Sequence, residues 1–155
     1  MLQLIYAPVV QPNPVLPTVL IRVERRVLAK RLWRGRADDG KEFGFELARP
    51  LNPGETVWET PSARYVVDQP PETVLEISLT MTPAAAAGIG WAIGNLHLEL
   101  CGEAARLLAP DEAAVRQLLG RLNVPFQPTS AVFRPGHFVR GKSVPSHELG
   151  SSHQH

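Results

Sequence analysis

Proline placement constrains this chain more than any other feature. Fifteen of its 155 residues are proline, about twice the average share of roughly 5%. Proline fixes φ and has no amide hydrogen, so it is kept out of helix interiors and central strands. The prolines gather at Pro8, Pro12, Pro14 and Pro17, at Pro70-Pro71, and again late in the chain. Each cluster marks a boundary. Residues 1 to about 17 read as an extended lead-in, and Gln69-Pro70-Pro71-Glu72 reads as a linker. The expected plan is a small N-terminal antiparallel β-domain over 1–71, a second domain over 72–135, and a flexible histidine-bearing tail over 136–155.

The N-terminal part carries period-two alternation, the mark of half-buried strands. Val19, Ile21 and Val23 alternate with Leu20, Arg22 and Glu24, and Phe43, Phe45 and Leu47 alternate with Glu42, Gly44 and Glu46. Asp38-Asp39-Gly40-Lys41 joins two runs, and Asp-Gly is a strong hairpin signal because it tolerates positive φ. Asn52-Pro53-Gly54 is a second turn, and Thr56-Val57-Trp58 with Arg64-Tyr65-Val66-Val67 completes the sheet. No convincing helix pattern is present in this half.

Beyond the linker the pattern changes. Leu75, Ile77, Leu79 and Met81 predict a strand. Thr82-Pro83 predicts a helix start, and Gly94-Asn95 its end. The run from Ala84 to Ile93 is apolar on nearly every side, which predicts a buried or interfacial helix. A strand is expected from Leu96 to Cys101, its partner over Glu103 to Leu108, a helix capped by Asp111 over Glu112 to Leu122, and a last strand over Thr129 to Arg134. The order β-α-β-β-α-β predicts an α+β chain whose second domain is ferredoxin-like.

Lys and Arg total 16 against 15 Asp and Glu, so binding to a polyanion or membrane needs local clustering. The single cysteine, Cys101, excludes an intrachain disulfide framework. The start has no basic n-region, and no segment approaches the ~20 apolar residues of a membrane span. These features predict a cytoplasmic protein. Gly136 to Ser143 fits the G-x-x-x-x-G-K-S expression of phosphate loops, but Pro145 breaks the helix that the mechanism requires. No G-x-S-x-G, H-E-x-x-H or C-x-x-C is present, so hydrolytic catalysis has no support.

Metal ligation is a further candidate chemistry. His97, Glu99 and Cys101 fall on one side of the expected strand, and all three side chains can bind metals. From spacing alone that row reads as the solvent face of a strand. The other histidines, His137, His147, His153 and His155, lie late in the chain. His153-Gln154-His155 can chelate one divalent ion, but imidazole suits Ni, Zn and Cu alike. A separate cluster, Arg22, Arg25, Arg26, Lys30, Arg31, Arg34 and Arg36, is basic. It reads as a solvated strand face partly neutralised by Asp38, Asp39, Glu42 and Glu46, with an RNA- or protein-binding adaptor as the alternative.

Taken in order, several segments resemble the urease accessory protein UreE family, the nickel metallochaperones. They are Asp38-Asp39-Gly40 with Glu42-Phe43-Gly44, Leu51-Asn52-Pro53-Gly54-Glu55, Pro71-Glu72-Thr73-Val74-Leu75, Ala92-Ile93-Gly94-Asn95-Leu96-His97, and Val124-Pro125-Phe126-Gln127-Pro128. The resemblance implies a non-enzymatic homodimer with a partner-binding N-terminal β-domain and a ferredoxin-like metal-binding domain. It implies Ni²⁺ as cargo, with Zn²⁺ or Cu²⁺ able to enter the same site. The recipient is urease apoprotein, with the accessory GTPase and other assembly proteins as partners and no nucleic acid or membrane. The Gly-Asn-x-His histidine, here His97, would meet its own copy on the two-fold axis, with His137, His153 and His155 as further ligands. Many members carry a second histidine pair on the next strand. Cys101-Gly102-Glu103-Ala104 has none, which implies a ligand-poor, fast-exchanging site and keeps open a member that has lost nickel.

Overall fold

The computed structural model describes residues 1–140 and the backbone of His147–Glu148. It is a mixed α+β protein of several sheets and three helices among the described residues, in two compact units, Met1–Pro70 and Pro71–His155.

In the first unit the strands are β1 (Gln3–Ile5), β2 (Thr18–Arg22), β3 (Leu32–Arg36), β4 (Glu42–Glu46), β5 (Thr56–Glu59) and β6 (Arg64–Asp68). They form two three-stranded sheets, ordered β1-β4-β3 and β2-β6-β5. Both expected turns are present: Gly40 and Gly54 adopt φ of 91° and 90°, which glycine accepts without steric cost. The expectation of a purely antiparallel domain fails. β1 runs parallel to β4 and β2 parallel to β6, so the proline-broken lead-in supplies a strand. One helical turn, α1 (Arg25–Leu28), also lies where no helix was expected; four residues are too few to show a helical period. The alternating residues of both sheets meet in one core. Phe43, Ile21 and Val67 are fully buried, and Trp33 stacks on Phe45 with ring centroids 3.8 Å apart.

The second unit follows the order β7 (Glu72–Ser78), α2 (Pro83–Asn95), β8 (Cys101–Gly102), β9 (Arg106–Pro110), α3 (Ala113–Arg121) and β10 (Gln127–Ala131). The strands lie β10-β7-β9-β8, every neighbour antiparallel. Leu75, Ile77, Leu107 and Ala109 pack one sheet face against Ile89 and Ile93 of α2 and Val115, Leu118 and Leu119 of α3. Val74, Leu108, Cys101 and Ala131 cover the other face with Phe133. Thr82 caps α2 as expected, its hydroxyl accepting from the Ala85 N–H at 3.2 Å. Asp111 does not cap α3: its carboxylate takes the Arg116 guanidinium instead. The segment expected as tail adds β11 (His137–Phe138), parallel to β8, and β12 (His147–Glu148) beyond it. No described helix is long and apolar enough to cross a membrane.

Candidate metal centre

The expected strand from Leu96 to Cys101 is absent, and the reason is how α2 ends. The helix continues through Gly94 and Asn95. His97 then takes φ 56°, donating its N–H to the Gly94 carbonyl at 2.9 Å, while the Leu98 N–H reaches the Ile93 carbonyl at 3.2 Å. These are the two bonds of a Schellman motif, with His97 at the left-handed position and Leu98 packed in the same cluster as Ile93. The motif recurs at the end of α3. There Asn123 takes φ 53°, bonds Gly120, and Val124 bonds Leu119. Asparagine is an ordinary residue for that position and glycine the usual one; histidine pays the Cβ penalty of the left-handed region. The His97 side chain is exposed at this helix end. The last turn of α2 holds no basic side chain.

The other candidates divide. His137 lies in β11, and the segment before it is bonded to the chain between α2 and β8: the Gly136 N–H donates to the Leu100 carbonyl at 2.8 Å. Its Nδ1 is sequestered without a partner among the described residues. His153 and His155 lie outside the described residues. Of His147 only the backbone is described, opposite Phe138. Cys101 is not exposed beside His97. It is buried against Val74, Leu108 and Phe133, and burial pushes its thiol up, away from the thiolate a metal needs. Among the described residues no group of three His, Cys, Asp or Glu side chains converges to hold a metal.

α2 is unusual in a second way. Only Ile89 and Ile93 are buried, although the helix is apolar all round. Trp91 stands 71% exposed, beside a groove of about 440 Å³ lined by Ala85, Gly88, Ala92, Leu122 and Val124. In the first unit the basic cluster is partly neutralised as expected: Arg22 pairs with Asp38 and Arg36 with Glu42. Asp39 turns instead to the Tyr65 hydroxyl at 2.6 Å.

Residues 72–155 match the family described as UreE urease accessory protein, C-terminal domain. A urease accessory protein UreE from Deinococcus radiodurans is 36% identical over 116 residues, 74% of this chain and 72% of that protein. A second, from Nitrosococcus oceani, is 30% identical over 108 residues, 64% of each chain. The chain belongs to the UreE family. UreE proteins are accessory to urease and are not themselves enzymes. In this chain the Schellman histidine could not be found by periodicity. The signal that does locate it is the sequence Gly94-Asn95-Leu96-His97 read as one terminating unit.

Proposed function

We propose that this UreE-family protein carries Ni²⁺ in the cytoplasm and hands it on during urease assembly. The metal is held where two His97 imidazoles meet across a dimer axis. The reading rests on the exposed His97, which occupies a backbone position that glycine would fill at lower energy. The described residues of one protomer offer too few converging donors, and a residue near a two-fold axis is supplied twice. The apolar outer face of α2 supports the same assembly, because a helix apolar all round needs a cover. In this reading His137 completes the sphere together with His153 or His155, giving about one ion per dimer. Zn²⁺ and Cu²⁺ would compete for the same imidazoles. The strand order β10-β7-β9-β8 with its two crossover helices supports a ferredoxin-like metal-binding domain. The first unit is left to contact urease apoprotein, the accessory GTPase or another assembly protein.

His97→Gly is the informative variant, because glycine suits φ 56° while removing the ring. Calorimetric Ni²⁺ titration is expected to lose the dimer site, and thermal unfolding to show a protomer no less stable than wild type. Unchanged stoichiometry and affinity would exclude His97 as the anchor.

A further inference from the structure

The outer edge of β3 is an open sheet edge. The Leu47 N–H donates to the Arg31 carbonyl and the Ala37 N–H to the Lys41 carbonyl, both at 2.9 Å. Counting inward along the antiparallel register, Trp33 and Gly35 exchange bonds with Phe45 and Phe43. The peptide groups of Leu32 and Arg34 therefore point away from β4. Among the described residues no strand pairs with either on that side; the bridge from Ile21 reaches only Ala37. Beside this edge, the outer sheet face has an apolar floor. Gly44 has no side chain, so Leu2 and Leu4 lie over it, and Leu32 stands 74% exposed at the rim of a groove of about 390 Å³.

We infer that this edge accepts an extended segment of a partner protein that alternates apolar and acidic residues. Unpaired N–H and C=O groups of an edge strand are a template for an added strand, and alternate side chains then enter the face beside it. The charge selects the partner. Lys30, Arg31 and Arg34 are exposed and hold no ion pair among the described residues, and Glu46 is the one acid among the described residues lining the groove. A second copy does not fit, because β3 paired with itself sets two basic strands side by side. The inference rests on the reading that the first unit contacts a partner protein; His97 belongs to the second unit, so failure here would leave the nickel reading standing.

The test uses the full chain and a labelled synthetic peptide alternating valine and glutamate, with a valine–lysine peptide as control. Fluorescence anisotropy is expected to show binding of the acidic peptide alone, weakening with salt. The Leu32 and Arg34 amides should gain exchange protection. The double change Arg31→Glu with Arg34→Glu should weaken binding by about tenfold or more, and Arg34→Gln by less. Nickel titration of both variants should match wild type. Absence of binding, equal binding of the lysine peptide, indifference to both variants, or protection of other amides would each overturn the inference. So would protection of Leu32 and Arg34 that grows with protein concentration without peptide, which would assign the edge to a second copy.

Discussion

Replacing Gly102 by alanine places a methyl group where no room exists. Its carbon would stand 2.7 Å from Phe138 Cδ1, 3.4 Å from Cε1 and 3.5 Å from Leu107 Cδ2. Carbon atoms rest at roughly 3.5–4.0 Å, so the Phe138 ring must retreat by about 1 Å. Overpacking of this kind costs about 1–3 kcal/mol. The segment around Phe138 is held to the sheet by its parallel pairing with Gly102, which includes the Val139-to-Gly102 bond at 2.9 Å, and by the Gly136-to-Leu100 bond at 2.8 Å. At about 1 kcal/mol net for each bond, the hold is comparable to the strain. β11 should therefore lift away while the rest of the sheet stays folded. Native-state hydrogen exchange measures this directly. The Gly136 and Val139 amides should lose protection by about tenfold or more, since 1.4 kcal/mol is one decade, and the amides of Ile77 and Leu108 in β7 and β9 should not. His137 would move with β11, so Ni²⁺ affinity should fall while His97 still binds. Unchanged Gly136 and Val139 exchange would refute the steric reasoning. A uniform loss across the sheet would refute the claim that β11 detaches by itself.

Two further changes probe other links. Trp91→Glu should alter protomer stability by no more than about 0.5 kcal/mol, because the ring is exposed, yet sedimentation equilibrium should show the dimer dissociating; an unaffected dimer would mean that α2 is not its interface. Tyr65→Phe removes the hydroxyl that, with the Lys41 N–H, holds the Asp39 carboxyl below its usual range. A depressed carboxyl adds stability above its unfolded pKa and loses it as pH falls through the folded one. Urea unfolding should therefore show a loss of about 1 kcal/mol at neutral pH that shrinks in acid, and a loss independent of pH would remove Asp39 from the account.

How much of this was legible in sequence depends on the range of each interaction. The Asp-Gly and Pro-Gly turns are local, and their glycines take the positive φ expected of them. So is the Thr82 cap. The parallel partners of β1 and β2 are set by pairings 40 to 46 residues away, which no local period records. The leucines at 96, 98 and 100 imitate strand alternation. The left-handed turn at His97 breaks that alternation: Leu96 ends α2 exposed, while Leu98 and Leu100 pack against the core of the second unit. Cys101, grouped with His97 and Glu99 by spacing, is claimed by the opposite sheet face through its pairing with Leu108. The seat of β11 on β8 depends on Phe138 crossing a side-chain-free Gly102, a contact that sequence shows only as one more glycine.

The central claim is a nickel ion shared by two copies of one imidazole. An anomalous-difference map at the nickel edge from a nickel-soaked crystal tests it most directly. The account predicts a peak on a molecular two-fold axis, within bonding distance of His97 in both protomers. Nickel bound only by imidazoles other than His97, with the two His97 rings far apart, would contradict it.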